Sequence, residues 1–145
     1  MSLRNKLSRV RQMSGAERWL IAEAVVSLGA ARAMILLMPF RWIAPWLERK
    51  PRGSGRPAVP DPVLTGSVRR AVTIAANHVP WNAVCLPQAM AAKFMLALRG
   101  CPSTLHLGVA RTGAALTAHA WLEAGNVIVV GEKGVDAVTP VARFG

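Results

Sequence analysis

Cysteine is scarce in this chain. Its 145 residues include only Cys85 and Cys101, no CxxC pair, and three histidines that do not cluster. Structural zinc sites draw their ligands from closely spaced cysteine and histidine pairs, so the sequence argues against one and we predict no metal. Disulfide scaffolds are small and cysteine-dense. A single Cys85–Cys101 bridge stays open on sequence alone, but the composition favours a reduced, cytoplasmic chain.

Acidic residues are also few. The sequence has 7 Asp and Glu against 18 Lys and Arg, which gives a net charge of +11. A surplus of this size makes an acidic partner, a polyanion or an anionic membrane surface a candidate for binding. No basic run is interleaved with aromatic residues, and no finger or recognition-helix pattern occurs, so nucleic acid is not the predicted partner.

The N-terminal part lacks a long uncharged run. Its longest uncharged pieces, residues 24–31 and 33–40, fall short of the roughly 20 apolar residues that a bilayer requires. The basic start resembles a signal peptide, but Glu17, Arg18 and Glu23 interrupt the apolar stretch after it, and no cleavage site is evident. We expect a soluble chain, for which peripheral membrane contact is compatible but not required.

What is present suits one packed domain with an accessory segment, since 52% of the residues are hydrophobic. Ser14 and Glu17 form a capping-box pattern that starts a helix. Pro39 ends or bends that helix, and a short aromatic helix follows. The next stretch holds four prolines and three glycines, which predicts a linker. The predicted organisation is an N-terminal helical segment (1–49), a linker (50–66) and a core (67–145).

Two helices and then strands are predicted in the core. Ser67 is expected to cap a helix that ends near Asn77, and a second helix is expected over Cys85–Leu98, with Pro87 in its first turn. The apolar period then changes to strict alternation, which predicts strands at residues 105–110, 115–122, 127–130 and, weakly, 135–141. The predicted fold is therefore α+β, with Cys85 at the N-terminus of a helix packed on an antiparallel sheet.

Cys85 and His119 form the constellation that can perform covalent chemistry. A helix N-terminus stabilises a thiolate through its partial positive charge and its unbonded N–H groups, and the same groups can bind an oxyanion. His119 follows in a strand, where it can act as general base and then as acid for a leaving amine. The alternative is structural, because a core cysteine is most often a small apolar side chain and a strand histidine is often a satisfied core residue.

The segment PWNAVCLPQA at residues 80–89 resembles the nucleophile motif of the lasso peptide leader peptidases, which are bacterial transglutaminase-like cysteine proteases. Further segments match in order and spacing, namely AEA at 22–24, MPFR at 38–41, LRGCP at 98–102, LGV at 107–109 and HAWLE at 119–123. The resemblance therefore covers most of the chain. The combination of Cys-Leu-Pro with His-Ala-Trp is its most specific part.

This resemblance implies a papain-like or transglutaminase-like core with a Cys–His–Asp/Glu triad and no cofactor. It implies cleavage of the leader from a ribosomally synthesised lasso precursor peptide, beside a small leader-binding recognition protein and an ATP-dependent lasso cyclase. The first 66 residues are predicted to be apolar helices rather than a winged-helix-like recognition domain. We therefore expect a stand-alone protease that works with a separate recognition protein.

The third member of the triad is predicted from hairpin parity. A two-residue loop at residues 124–125 would pair His119 with Val130 and place Glu132 on the face of His119, diagonally close to it. Glu132 is therefore the predicted third member, which would fix the imidazole tautomer and stabilise the imidazolium. The family that the resemblance indicates commonly has aspartate there.

Other residues near the predicted site have weaker assignments. Asp136 is the alternative third member, and Glu123 shares the parity of His119 but lies in the turn. Trp81 resembles a family position and is predicted to wall the site or position the acyl group, with a core role as the alternative. Cys101 is predicted to be a structural thiol, and His106 to face solvent or a partner.

Two other functions stay open on the sequence. A true transglutaminase would use the same thiol to pass an acyl group to an amine. A non-catalytic scaffold would instead use the basic helical segment to bind partner proteins or a membrane surface.

Overall fold

The computed structural model of the chain describes residues 3–48, 61–80, 84–132 and 138–144. In these ranges helices come first and strands follow. The helices are α1 (Leu3–Gln12), α2 (Gly15–Leu37), α3 (Phe40–Leu47), α4 (Pro62–His78) and α5 (Cys85–Leu98), and the strands are β1 (Thr104–Thr112), β2 (Ala115–Ala124), β3 (Val127–Val130) and β4 (Thr139–Phe144).

Helix α2 begins where the capping box predicts. The Glu17 N–H donates to Ser14 Oγ at 3.3 Å, and the Ser14 N–H donates to Glu17 Oε2 at 3.0 Å. The helix ends at Leu37, and Pro39 adopts an extended conformation as the N-cap of α3. Pro39 lacks the N–H that would continue the hydrogen-bond ladder of α2, so the two helices stay separate.

Helix α4 begins at Pro62, and the predicted start at Ser67 is wrong. Asp61 Oδ1 accepts the Val63 N–H at 2.9 Å, and Pro62 occupies the first turn. Proline is well suited to that position, because its fixed φ is already helical and its missing N–H would be unbonded anyway. Residues 62–66 of the predicted linker are therefore helical. Residues 49–60 lie outside the described residues, so the domain boundary stays a prediction.

Helix α5 has the predicted bounds. Pro87 lies in its first turn, and Gly100 follows its last turn with a φ of +69°. This left-handed conformation lets the Cys101 N–H return to Leu96 O at 2.9 Å, which satisfies a carbonyl that the helix end would leave unbonded.

The described strands form one antiparallel sheet in the order β3-β2-β1-β4. Strand β4 runs over Thr139–Phe144 and so extends beyond the predicted bound at residue 141, while residues 135–137 of that prediction lie outside the described residues. Strands β3 and β4 are consecutive in the chain but occupy opposite edges of the sheet.

Helix α5 lies at the centre of the core. It packs against α2 and α4 and against strand β2, and its Met90, Met95 and Leu96 are fully buried. Leu105 and Leu122 enter the same core from the sheet. Each such side chain contributes roughly 2 kcal/mol through removal of apolar surface from water. This helical layer on an antiparallel sheet confirms the α+β fold, and α2 shares one core with the helices and strands that come after it.

Candidate active site

Cys85 is the first residue of α5. Its side chain is half-buried against the core. The N-cap residue Val84 makes no side-chain hydrogen bond to the helix, and the first described bond of the turn runs from the Gln88 N–H to Val84 O at 3.3 Å. The thiol therefore stands at the positive end of a helix whose N-cap side chain leaves the N–H groups of the first turn unbonded, and such a position stabilises a thiolate or an oxyanion.

His119 lies in β2 and is held by a backbone oxygen. Its Nε2 atom is 2.9 Å from the carbonyl oxygen of Gly131. A carbonyl can only accept, so the imidazole proton in this bond is on Nε2. Nδ1 is then the basic nitrogen, and fixing the tautomer in this way is the task that a triad assigns to its third member.

Gly131 can reach His119 because it has no side chain. Its φ is +87°, and a Cβ atom there would lie 2.5 Å from Ala120 O and 2.9 Å from Trp121 Cβ. Both the conformation and the space exclude other residues. The sequence prediction missed this contact. A lone glycine directly after the Val127–Val130 strand pattern is the signal that could have indicated a close backbone approach.

Trp121 stacks on two histidines. Its ring centroid is 5.1 Å from that of His106 and 6.0 Å from that of His119, with interplanar angles of 9° and 22°. His106 Nε2 lies 2.9 Å from Glu123 Oε2 but out of line for a hydrogen bond. A partner contact for His106 stays a prediction, but the alternative that it faces solvent is wrong, since its side chain is only 15% exposed. The reason is that its ring packs on Trp121.

The structure does not join Cys85 to His119. Ala120 and Leu122 belong to the core shared with α5, and since side chains alternate along a strand, His119 and Trp121 lie on the other face of the sheet. Among the described residues no hydrogen bond connects the thiol with the imidazole.

The sheet is narrow beside His119. Strand β3 pairs only with residues 122–124 of β2, so His119 lies on the part of β2 that runs past the paired stretch. The catalytic pair stays a prediction.

Glu132 is bound elsewhere. Its Oε2 atom is 2.7 Å from Arg69 Nη2 of α4, and its side chain is 61% exposed. The hairpin register that placed it is wrong, because the turn is Gly125-Asn126, not residues 124–125, and a bulge follows. The resulting pairs are Ala124 with Val127 and Leu122 with Val130. The φ of +61° at Gly125 places glycine first in the turn, as type II′ hairpins require.

The remaining predicted residues have no described role in the site. Trp81 and Asp136 lie outside the described residues, so their assignments stay predictions. Cys101 is buried behind the end of α5, as a structural thiol would be. The described residues contain no group of three or more His, Cys, Asp or Glu that could hold a metal ion.

A separate groove lies between the N-terminal halves of α2 and α4. Its volume is about 320 Å³, and its lining includes Leu20, Ile21 and Val63. The connection to Cys85 leaves α4 from the other end, at His78. The groove can accept apolar groups, but it is not the space around the thiol.

No curated protein and no solved structure gives a significant match to this chain. The family model of the transglutaminase-like superfamily matches residues 24–143, which include α2 from Ala24 onward, all of α5 and the sheet except its last residue. The chain belongs to the transglutaminase-like superfamily.

Proposed function

We propose that this protein is a cysteine endopeptidase that removes the leader from a lasso precursor peptide. The observation that carries the proposal is the position of Cys85, the first residue of helix α5, in a chain of a superfamily that includes cysteine proteases. The sequence resemblance to leader peptidases supplies the substrate.

The reaction proceeds through an acyl-enzyme. Cys85 Sγ gives its proton to His119 Nδ1 and attacks the scissile carbonyl, and the N–H groups of the first turn of α5 bind the oxyanion. The imidazolium then protonates the leaving amine as the C–N bond breaks. Water, deprotonated by His119, hydrolyses the thioester and restores the thiol.

Gly131 is the positioning residue in this scheme. Its carbonyl accepts the Nε2 proton and keeps Nδ1 available through the cycle. The scheme requires the thiol and the imidazole to come together when the precursor binds, because the structure leaves them on opposite faces of the sheet.

The partners follow from the same proposal. A separate recognition protein presents the leader, and the lasso cyclase takes up the released core peptide, all in the cytoplasm. A net charge of +11 favours an acidic leader or partner surface, so association should weaken with salt.

Incubation with the precursor tests the proposal. The wild type, with the recognition protein, should yield two fragments by mass spectrometry, while Cys85→Ala and His119→Ala should yield none and keep the wild-type circular dichroism spectrum. Cys101→Ala is the matched control and should cleave normally. Cleavage by Cys85→Ala would overturn the mechanism.

A transglutaminase is the second candidate, because the superfamily commonly contains transferases as well as peptidases. Adding a primary amine to the same incubation separates the two. Acyl transfer from a glutamine side chain would give a product whose mass is increased by the mass of the amine minus the mass of ammonia. Two peptide fragments would instead identify hydrolysis.

A further inference from the structure

Helix α2 presents an uncharged face to solvent. Its exposed positions from Trp19 onward recur every three or four residues and are all apolar: Trp19, Ala22, Val26, Ala30, Ala33, Leu36 and Leu37. Trp19, Val26 and Leu37 are 72%, 71% and 82% exposed. The outer face of a surface helix normally carries charged and polar residues, so a face of this composition marks an interaction site.

The opposite face of α2 is fixed in the core. Ala24, Leu28 and Ala31 are fully buried, and Glu23 is paired with Arg99 of α5. By length and composition α2 could cross a membrane, although its uncharged pieces alone are too short. Crossing would require the helix to leave this core. The helix can instead lie along a surface while the domain stays folded.

Aromatic and basic residues stand at both ends of this face. Arg18 and Trp19 are exposed at the N-terminal end. Beyond the C-terminal end, Trp42 and Trp46 of α3 are exposed one helical turn apart, and the Arg41 guanidinium lies 6.0 Å from the Trp42 ring centroid. Tryptophan prefers the boundary between lipid headgroups and acyl chains, and arginine pairs with phosphate.

The positive charge of the chain favours an anionic membrane over a second copy of the chain as the partner. Helix α1 adds further exposed arginines, Arg4, Arg9 and Arg11, and the whole chain carries +11. A second copy would bring these cations together. Anionic headgroups would neutralise them, each cation near the surface contributing about 1 kcal/mol.

We infer that the exposed face of α2, together with Trp42 and Trp46 of α3, docks onto an anionic phospholipid membrane with α2 parallel to the surface. The inference does not depend on the proposed peptidase activity. The inference adds a location to the proposed activity, because a peptidase bound to the membrane through α2 would process its precursor at the bilayer surface.

Vesicle flotation tests this docking surface with the full chain. The protein should float with vesicles of equal parts phosphatidylcholine and phosphatidylglycerol, not with phosphatidylcholine alone, and high salt should weaken binding. Replacing three exposed residues (Trp19→Gln, Val26→Gln and Leu37→Gln) should lower partitioning about tenfold or more. The matched control Leu116→Gln and Val141→Gln, on exposed strand positions, should bind like the wild type.

A second measurement does not depend on the triple variant being folded. Brominated acyl chains should quench the tryptophan fluorescence of the bound wild type, and Trp19→Phe should bind equally while losing part of the quenching. Absence of flotation, equal flotation of the triple and control variants, or absence of quenching overturns the inference. So does a lipid-free dimer that the triple variant abolishes, since the face would then belong to a second copy.

Discussion

Arg99 and Glu23 form a two-point ion pair between α5 and α2. Arg99 Nη1 is 2.7 Å from Glu23 Oε1, and Nη2 is 2.8 Å from Oε2. Both side chains are largely buried, and Nη1 also donates to Met95 O at 2.9 Å. The pair therefore joins α2 to the helix that begins at Cys85.

Removing one partner of this pair should destabilise the fold. We expect Glu23→Gln to lower the free energy of unfolding by about 2 kcal/mol, because the guanidinium keeps its burial and loses its counter-charge. Arg99→Lys should cost about 1 kcal/mol through loss of the second hydrogen bond. Urea unfolding measures both. Arg70→Lys, in the exposed 3.4 Å pair with Glu17, is the control and should change little.

The Arg99–Glu23 pair makes the stability of the fold depend on pH. Hydrogen bonding from Arg99, opposed by desolvation, lowers the pKa of Glu23 below its ordinary value of 4.5. The stabilisation is therefore full above about pH 4.5 and is lost as the pH falls through the folded-state pKa. The stability difference between wild type and Glu23→Gln should shrink in this acidic range. A difference independent of pH would contradict the assignment.

Lys93 is a charged group inside the core helix. It is 6% exposed, its Nζ donates to Ser103 O at 2.5 Å, and burial lowers its pKa to about 8. The unfolded chain then binds more protons than the folded one between about pH 8 and 10.5, so this group makes stability rise with pH in that window.

Lys93→Met isolates this effect. The variant should be more stable than the wild type near neutral pH, and its advantage should fall by up to about 3 kcal/mol as the pH rises through the window. Urea unfolding at several pH values measures the difference in the free energy of unfolding between the variant and the wild type. Cys101 titrates in both proteins, so its contribution cancels in this difference. A constant difference would mean that Lys93 stays charged in the folded protein throughout.

Comparing Gly131→Ala with Gly113→Ala should separate the effect of the Gly131–His119 hydrogen bond from the effect of backbone strain in a turn. The left-handed conformation and the collision with Ala120 O should together cost about 3 kcal/mol. Gly113→Ala, at a φ of +63° with open space around it, should cost only about 1 kcal/mol. Nitrogen NMR of the imidazole should detect the Nε2–H tautomer of His119 in the wild type and in Gly113→Ala, and a mixture in Gly131→Ala.

Glu132→Gln tests which group fixes His119. The exposed pair with Arg69 adds little stability, so the variant should melt like the wild type. Because Gly131 O already accepts the Nε2 proton, we expect precursor cleavage within about threefold of wild type. A loss of orders of magnitude at unchanged stability would instead establish Glu132 as the third triad member.

The two thiols should differ in reactivity. Cys85 is half-buried at a helix N-terminus, whereas burial, with a contribution from Asp61, raises the pKa of Cys101. Iodoacetamide followed by mass spectrometry should modify Cys85 about tenfold faster or more in the folded protein. In urea the difference should vanish. Equal rates in the folded protein would favour a non-catalytic scaffold.

Helices and strands whose sequence signals lie within a few residues were predicted correctly. The capping box at Ser14, Pro87 with Gly100 around α5, and the alternation from Leu105 each act within a few residues. A high proline content does not reveal the Asp61-Pro62 start, because proline breaks a helix interior but suits its first turn.

The site depended on information that is not local. The register of β3 depends on one bulge and on which residues form the turn, so a shift of one or two positions invalidates the pairing that placed Glu132 on the face of His119. The oxygen that binds His119 belongs to the backbone, and no side-chain pattern announces it. The stacking of His106 on Trp121 likewise requires the β1–β2 register, which periodicity alone leaves free.

The position of β4 beside β1, at the edge opposite β3, has a consequence for the order of folding. Strands β1, β2 and β3 join through short hairpins and can pair early, whereas β4 must bring Phe144 to Leu105 across a long stretch of chain. Distant pairings form late because loop closure must come first. Until β4 pairs, β1 presents an open edge in addition to the part of β2 that β3 leaves unpaired, so aggregation should be favoured while β4 is undocked.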